Sequence, residues 1–358
     1  MKYDIKVTKT NQSHISEVDF ENLPFGRVFS DHMFIADYKN GVWGDLRIVP
    51  FDNIPTHPAT SALHYGQSIF EGLKAFRNSN GEIQIFRPTK NLERLNLSAA
   101  RMAMPALPQD LFMQALDTLV LLDQKWVPTS AGSSLYIRPF MFATDEYVGI
   151  KASDNYRFII FTCPVQSYYS APVKVLIADK HVRAFPGGTG EAKAAGNYAA
   201  TLQPVQEARA NGFDQILWTD GIEFKYLQEI GTMNVFLQID GQILTPALNG
   251  CILNGITRNS ILQLLADRGI VAIERNITVD ELVEAHQKGT LEDAFGAGTA
   301  ATISHISHIG YKGTTLTLPD IEGRTLSQEL KQELEDIKHD RIPDRHGWVH
   351  KIAVNVLI

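Results

Sequence analysis

Hydrophobic and polar residues alternate in several short segments of the chain, which is the pattern of half-buried β-strands. The alternation occurs in residues 44–49, 81–86 and 302–309, whereas residues 156–163 are almost continuously apolar, as in a strand buried on both faces. Further strands are predicted at residues 173–178, 215–219, 234–239 and 242–245. The last two flank Asp240–Gly241, a pair of residues typical of a tight β-hairpin turn.

Apolar residues three or four positions apart predict helices between these strands. One helix covers residues 91–104 and has Pro88 just before it, a residue that suits a first helical turn. Two more are predicted at residues 197–211 and 255–268, each followed by a glycine that would end it. The mixture of strands and helices predicts an α/β fold.

The length of the chain predicts two domains. It has 358 residues, of which 44% are hydrophobic, and this is more than one core usually supports. A polar, turn-prone stretch around residues 166–172 suggests the boundary. We therefore expect a small N-terminal α/β domain over residues 1–168, a linker over 169–180 and a larger C-terminal domain over 181–358.

Composition excludes several classes of protein. The net charge is -7, and a basic stripe of the kind that nucleic-acid-binding proteins use is not visible. No apolar run reaches the ~18 residues of a membrane span, and the first residues lack a signal-peptide core. Cys163 and Cys251 both lie in apolar runs and are expected to be buried free thiols. A cytoplasmic protein is the expectation.

Lys193 lies among small residues in the segment Glu191–Ala200. A lysine in such surroundings is expected to be poorly solvated, and desolvation favours the neutral amine, which attacks carbonyl groups as Schiff-base lysines do. The alternative is a surface lysine in a glycine-rich loop, since residues 186–190 contain three glycines. A P-loop is excluded, because Ala192 replaces its second glycine and Ala194 replaces its Ser or Thr.

Two further side chains would suit an aldehyde cofactor on Lys193. Tyr198 follows closely enough for its phenol to reach a ring oxygen, although a core tyrosine is the alternative. Glu229 borders an apolar strand, where a carboxylate needs a partner. A protonated pyridine nitrogen would be such a partner and would make the ring an electron sink; a nearby Lys or Arg is the other possibility.

Two glycine-containing segments would bind anions. Gly255–Arg258 opens a predicted helix, where amide groups and the helix dipole favour phosphate and Thr257 adds a hydroxyl; ordinary capping is the alternative. Gly296–Ala301 imitates the dinucleotide fingerprint but leads into a strand instead of a helix, so we reject a nicotinamide dehydrogenase. Its amides would instead hold a phosphate or a carboxylate. With Lys193, these segments predict a lysine-bound aldehyde cofactor that carries a phosphate.

The histidines do not indicate a catalytic or metal site. His305 and His308 would face opposite sides of a strand, which argues against a metal ion. His339, His346 and His350 are expected to be solvated in a charged C-terminal tail. No Gly-x-Ser-x-Gly sequence occurs, so a nucleophile elbow is not expected.

Several longer strings, in the same order, resemble the branched-chain amino acid aminotransferases, pyridoxal-phosphate enzymes of fold type IV. The strings are Leu63–Phe76, Ile85–Pro88, Leu135–Pro139 and Leu227–Phe236. The resemblance runs from Phe25 to Ala300, nearly the whole chain. It implies a two-domain α/β enzyme with the cofactor at the domain interface, and assigns cofactor binding to the large C-terminal domain.

The resemblance implies roles for the cofactor-binding residues. Lys193 would hold pyridoxal 5'-phosphate covalently and move a proton between the substrate α-carbon and the cofactor. Glu229 would face the pyridine nitrogen, and Tyr198 the ring oxygen. The phosphate would be bound by Arg87, Gly255, Ile256, Thr257 and Thr299.

The resemblance also implies a substrate pocket. Its aromatic and small walls would be Phe25, Phe70, Tyr136, Tyr168 and Thr232, and Tyr65 with the amides of Thr299 and Ala300 would hold the α-carboxylate. Arg138, tied to Tyr136 and Tyr65, would help to accommodate glutamate. Val148 and Ile150 would come from the partner subunit of a homodimer.

The implied activity is reversible transfer of the amino group of leucine, isoleucine or valine to 2-oxoglutarate by a ping-pong mechanism. The alternatives are a D-amino acid aminotransferase or an aminodeoxychorismate lyase of the same fold and, from another class, a vitamin B6 carrier. One departure is notable. Some animal members carry a redox Cys-x-x-Cys where this chain has Ala301 and Ser304, so we expect no thiol switch of that kind.

Overall fold

The computed structural model describes residues 3–166 and 171–353 of the chain. These residues form a mixed α/β fold, as predicted, with two compact units. The first unit comprises Met1–Tyr168, Ala192–Gly196 and Asp336–Ile358, and the second comprises Tyr169–Glu191 and Asn197–Glu335. The division expected from sequence placed residues 181–358 in one domain, whereas the contacts group two segments of that range with the N-terminal residues.

The helices and strands follow one another in mixed order. The first part of the chain contains β1 (Lys6–Val7), β2 (His32–Lys39), β3 (Val42–Pro50), α1 (Ser61–Tyr65), β4 (Ser68–Phe70), β5 (Leu73–Arg77), β6 (Ile83–Phe86), α2 (Pro88–Arg101), α3 (Gln109–Leu122), β7 (Ser134–Ala143) and β8 (Tyr156–Val165). The middle contains β9 (Val173–Ile177), α4 (Ala195–Ala199), α5 (Leu202–Ala210), β10 (Gln215–Thr219), β11 (Leu227–Ile230), β12 (Met233–Ile239), β13 (Gln242–Thr245), α6 (Ile256–Asp267), β14 (Ala272–Glu274), α7 (Val279–Lys288), β15 (Leu291–Gly298), β16 (Thr302–Tyr311) and β17 (Thr314–Thr317). The last elements are α8 (Thr325–Lys338) and β18 (Val349–Lys351).

The first unit is built on a sheet with the strand order β1-β3-β2-β8-β7-β5-β6-β18, in which β4 also pairs with β7. Neighbouring strands are antiparallel except for β1 and β3. Helix α2 packs its apolar face on this core through Leu92, Leu95 and Ala99, and so confirms that a helix forms in this region. The helix begins at Pro88. Proline lacks an N–H, but at this first position an N–H would have no partner within the helix, so no hydrogen bond is lost.

The second unit contains a sheet that closes on itself. Its strands run in the order β11-β10-β9-β16-β15-β12, and β11 also pairs with β12; β13 and β14 extend it from β12, and β17 pairs with β16. The predicted turn between β12 and β13 is confirmed: Asp240 and Gly241 have φ values of 49° and 71°. Both are left-handed, as a type I′ turn requires, and this is why Asp-Gly marks a hairpin.

The single helix predicted at residues 197–211 is wrong. Two helices, α4 and α5, cover this region, and the chain turns between them at residues 200–201. Pro204 has no N–H to donate to the carbonyl of Ala200, so a continuous helix would lose that hydrogen bond. Instead, the Thr201 hydroxyl donates to the carbonyl of Tyr198 at 2.8 Å.

The expectation of a solvated C-terminal tail is also wrong. Residues Val349–Lys351 form β18, which pairs antiparallel with β6 in the sheet of the first unit. His350 lies on this strand with its Nε2 2.8 Å from Oδ1 of Asp117, and the ring of His346 stacks on Trp348. His339 packs edge-on against Phe76. The charged residues of this segment made it look like a solvated tail, although it contains a strand at the edge of a sheet.

Candidate active site

Lys193 is held by its backbone to two parts of the first unit. Its N–H donates to Oγ of Ser98 on α2 at 2.9 Å, and its carbonyl accepts from the N–H of Phe70 at 3.0 Å. The flanking residue Ala194 forms an isolated β-bridge with Ile69. The side chain is half-buried, and its Nζ lies 4.8 Å from the centroid of the Phe70 ring. The amine therefore projects from a fixed backbone over an aromatic face.

Arg87 occupies the position immediately before α2. Its backbone is left-handed, with a φ of 49°, and its N–H donates to the carbonyl of Trp348 at 2.7 Å. The guanidinium carbon lies 4.9 Å from the Trp348 ring, and burial lowers the pKa of this arginine from its ordinary value. A buried guanidinium held on an indole is a rigid cation of the kind that binds phosphate.

Aromatic and cationic side chains converge on β7. The guanidinium of Arg138 donates to the hydroxyl of Tyr136 at 2.9 Å, and its carbon lies 4.7 Å from the centroid of the Phe70 ring. Phe25 packs edge-on against Tyr136 with the ring centroids 5.2 Å apart. The first unit thus brings together four of the residues that were predicted for a substrate pocket.

Gly72 makes room for this cluster. A Cβ at this position would lie 2.2 Å from the hydroxyl oxygen of Tyr136, so only glycine allows the tyrosine to lie where it does. This requirement could not be recognised from the sequence, because the two residues are brought together by the pairing of β5 with β7.

Three other predicted residues of the first unit are exposed. Tyr65 is 43% exposed at the end of α1, and Val148 and Ile150 are 68% and 95% exposed in a loop. The contact with a partner subunit that was expected for Val148 and Ile150 stays a prediction, and their exposure leaves them accessible for it. Tyr168, also predicted for the pocket, lies outside the described residues.

In the second unit, Glu229 is buried on β11 and contacts two side chains. The guanidinium of Arg183 forms an ion pair with its Oε2, and Nδ2 of Asn234 lies 3.2 Å from its Oε1. The structure therefore shows the arginine partner that was the alternative for this carboxylate. Arg183 is itself fixed by the carbonyls of Gly190 and Cys251, which accept its hydrogen bonds.

Glu229, Tyr198 and Thr232 line one small cavity of the second unit, together with Arg183. Tyr198 lies on the short helix α4, and Thr232 lies in the turn between β11 and β12. The phenol of Tyr198 thus lines the same cavity as a carboxylate and a hydroxyl from the region of β11 and the turn that follows it.

The start of α6 lies beside this carboxylate. A Cβ on Gly255 would fall 2.0 Å from Oδ1 of Asn234, so the helix can start here only with glycine. Asn234 also donates to the carbonyl of Leu253 at 2.9 Å, and so links the Glu229 carboxylate to the segment before the helix. The first amide groups of a helix point away from its own carbonyls, so the start of α6 at Ile256 and Thr257 favours an anion.

Thr299 and Ala300 lie in the turn between β15 and β16, so the prediction that a strand follows the glycine motif is confirmed. The glycines of this motif have a packing role. A Cβ on Gly296 would lie 2.8 Å from Cε of Met233, and one on Gly298 would lie 3.1 Å from its Cγ. The resemblance to a dinucleotide fingerprint therefore arises from close contact between strands.

Comparison with known proteins decides the family. Residues 68–309 match the family model of the class IV amino-transferases. The chain belongs to this family. Class IV relatives include branched-chain-amino-acid aminotransferase 2 of Bacillus subtilis, which is 44% identical over 94% of this chain and 93% of its own length. Branched-chain-amino-acid transaminase 1 of the same organism is 43% identical over 93% and 95%.

Solved structures share the class IV fold. The branched-chain amino acid aminotransferase of Escherichia coli superposes with a TM-score of 0.74 at 24% identity, covering 90% of this chain and 99% of that one. The enzyme of Thermoproteus uzoniensis, solved with norvaline, has a TM-score of 0.73 at 24% identity and covers 90% and 100%. In the part of the chain that the structure describes, no helix is long and apolar enough to cross a membrane. Nor do these residues include a group of His, Cys, Asp and Glu that would hold a metal ion.

Sequence reasoning gave no role to Glu71 and Ser98 in the first unit, or to Arg183 and Asn234 in the second. Glu71 could have been recognised from the sequence, because a charged residue between Phe70 and Leu73 in an apolar string needs a buried partner. Ser98 and Arg183 carried no such signal, since folding brings them to Lys193 and Glu229 from distant parts of the chain, whereas Asn234 contacts Glu229 across the turn between β11 and β12.

Proposed function

We propose that this protein is a branched-chain amino acid aminotransferase that uses pyridoxal 5'-phosphate. It would transfer the amino group of L-leucine, L-isoleucine or L-valine to 2-oxoglutarate, reversibly. The observation that carries the proposal is identity of 44% and 43%, across almost the full length, to two proteins of that name. The donor groups described above support it.

The residues fit this cofactor chemically. Lys193 offers an amine for the aldehyde, and Arg87 and the start of α6 offer a cation and amides for a phosphate dianion. Glu229, buried beside Arg183, offers a carboxylate for a protonated ring nitrogen. When bound, pyridoxal phosphate supplies an aldehyde and a ring that withdraws electrons from the substrate α-carbon.

Lys193 would carry the cofactor and transfer the proton. Its Nζ would take the proton from the substrate α-carbon and deliver it to the carbon that carried the aldehyde, acting as base and then as acid. Its backbone is anchored through Ser98 and Phe70, so the amine moves only by rotation about the bonds of its own side chain. Such restriction favours transfer between two neighbouring atoms.

The remaining cofactor contacts would orient the ring. Glu229 would hold a proton on the ring nitrogen, and the Tyr198 phenol would donate to the ring oxygen. Arg87 would bind the phosphate together with Gly255, Ile256, Thr257 and Thr299. The Arg183 guanidinium pairs with the buried Glu229 carboxylate, and a buried carboxylate is stable only with such a partner.

The substrate residues would serve two chemically different substrates. The rings of Phe25, Phe70 and Tyr136 form an apolar wall for an aliphatic side chain, and Arg138 beside Tyr136 provides a cation for the distal carboxylate of glutamate. Tyr65 and the amide of Ala300 would hold the α-carboxylate, with Thr232 and Tyr168 completing the pocket. In a cytoplasmic homodimer, Val148 and Ile150 would close the partner's pocket.

A single-turnover absorbance experiment tests the proposal. The protein loaded with pyridoxal phosphate is mixed with L-leucine, D-alanine or buffer, without a keto acid. We expect the visible band to disappear rapidly with L-leucine only; loss with D-alanine only would assign the protein to the D-amino acid branch. Borohydride reduction should fix the cofactor on Lys193, and Lys193→Met should abolish both results while Lys90→Met, at an exposed residue, preserves them.

A further inference from the structure

Helix α2 connects two residues of the proposed site. Arg87, which would bind the phosphate, directly precedes its first residue, and Ser98, which binds the backbone of Lys193, lies near its end. The two positions are 11 residues apart (98 − 87), and at about 1.5 Å per residue they are separated by about 16 Å along the helix axis. An α-helix keeps such a separation nearly constant.

A second connection to Lys193 comes from Glu71, which is completely buried. Its carboxylate accepts two hydrogen bonds from Arg94 of α2, at 2.7 and 2.9 Å, and one from Asn91 of α2 at 2.8 Å. The preceding residue, Phe70, donates its N–H to the carbonyl of Lys193. The N–H of Lys193 is thus tied to α2 directly, and its carbonyl is tied to α2 through the segment Phe70–Glu71.

The charge balance around Glu71 favours this arrangement. Burial alone would raise the pKa of the carboxyl, but the charge and hydrogen bonds of Arg94, with the charge of Lys193, hold the pKa below its ordinary value. An ionised carboxylate with an arginine fork is a rigid contact, because two parallel hydrogen bonds fix its geometry.

We propose that Ser98 is a positioning residue that fixes Lys193 on α2, so that this helix sets the distance between the lysine amine and the phosphate-binding Arg87. The inference rests on the proposed function, in which these two residues bind opposite ends of one cofactor. A ligand anchored at one end presents its other end at a high effective concentration, provided that the spacing of the two contacts is fixed.

The consequence is a specific dependence on the phosphate. Pyridoxal lacks the phosphate, so it would bind through Lys193 and make no contact with Arg87. Loosening the backbone of Lys193 should therefore lower the affinity for pyridoxal slightly and the affinity for pyridoxal phosphate strongly, because only the phosphate form uses the fixed spacing. A Ser98 with a merely structural role would weaken both ligands to the same degree.

Visible absorbance titrations of the apoprotein with pyridoxal phosphate and with pyridoxal test this inference. We expect Ser98→Ala to lower the ratio of the two affinities by about fivefold or more, and Ser98→Cys, which keeps a weak acceptor, to give an intermediate ratio. Alanine is a good helix former, so α2 should remain intact. Thr118→Val, which removes a buried hydroxyl from α3, should leave the ratio unchanged.

A double-mutant cycle with Arg87→Ala sharpens the result. Once Arg87 is gone, Ser98→Ala should have little further effect on the affinity for pyridoxal phosphate, since the anchor that needed the spacing is lost. Additive effects in the cycle, or equal weakening of both ligands by Ser98→Ala, would overturn the inference while leaving the proposed function intact. A wild-type protein that binds neither ligand at Lys193 would overturn both.

Discussion

Arg183 and Glu229 form an ion pair in which the side chains are only 8% and 4% exposed. Removing one partner of a buried pair typically costs about 3–5 kcal/mol, because the other charge is left unpaired. We therefore expect Arg183→Met to lower the free energy of unfolding by this order in the apoprotein, measured by urea denaturation.

An exposed pair in the same unit provides the control for that measurement. Lys288 contacts Glu284, and their side chains are 63% and 62% exposed. Lys288→Met should leave the free energy of unfolding nearly unchanged, since solvent screens exposed pairs. Equal losses of unfolding free energy in the two variants would show that the buried Arg183–Glu229 pair contributes no more to stability than an exposed pair does.

Gly72→Ala is expected to damage substrate binding more than folding. The new Cβ would meet the Tyr136 hydroxyl, which the Arg138 guanidinium also contacts, so the tyrosine must move. Displacements of about 1 Å in a site are costly, and we expect KM for L-leucine to rise on the order of tenfold. Gly44→Ala in β3 is the matched control, because a Cβ there meets nothing within 4 Å. Unchanged steady-state kinetics in Gly72→Ala would contradict the placement of Tyr136 in the pocket.

His305 should make the protein less stable in mild acid. It is buried on β16, and burial together with the charges of Lys331 and Arg324 lowers its pKa from 6.5 to about 4. The unfolded chain binds a proton at this residue below about pH 6.5, whereas the folded chain does so only near pH 4. The stability that His305 contributes is therefore complete above pH 6.5 and is lost as the pH falls toward 4.

Urea denaturation at pH 7.5 and pH 4.5 would measure this effect through a variant. The loss attributable to His305 is on the order of 2–3 kcal/mol across the window. His305→Asn should therefore lose less stability on acidification than the wild type does. The same pH slope in His305→Asn and wild type would refute the buried neutral histidine.

The two cysteines should be inert in the folded protein. Burial raises the pKa of the Cys163 thiol to about 11 and also raises that of Cys251, and both side chains are buried. At pH 8 only about one Cys163 thiol in a thousand would be ionised, and the thiolate is the reactive form. We expect iodoacetamide to label neither residue in the native state and both in urea, as followed by mass spectrometry. Rapid labelling of the native protein would contradict this, as would peroxide-sensitive activity.

Local signals in the sequence identified elements whose hydrogen bonds are local. The hairpin at Asp240–Gly241 and the helix α6 were found because turn residues and helix periodicity act over a few positions. The prediction of one long helix at residues 197–211 was wrong because Pro204 interrupts its hydrogen bonding, although the rest of the pattern is helical. Strand β18 was missed because its partner, β6, is more than 250 residues away in the chain.

The candidate site was predictable in part for the same reason. Lys193 and Glu229 stand out because a charged residue in an apolar or small-residue setting needs an explanation. The residues that hold them, Ser98 and Arg183, look ordinary in sequence and acquire a role only when folding brings them into contact. Gly72 belongs to the same group, since its need for a small residue comes from Tyr136.

The position of β18 has a consequence for how the protein is made. The sheet of the first unit ends on a strand formed by Val349–Lys351, and Ala192–Gly196 also belongs to that unit. During synthesis on the ribosome, the sheet of the first unit is therefore complete only after residues 349–351 have emerged, although domains generally form in order of emergence. The second unit, which ends at Glu335, is fully translated earlier. A premature stop before residue 349 would leave β6 as an unpaired, aggregation-prone edge.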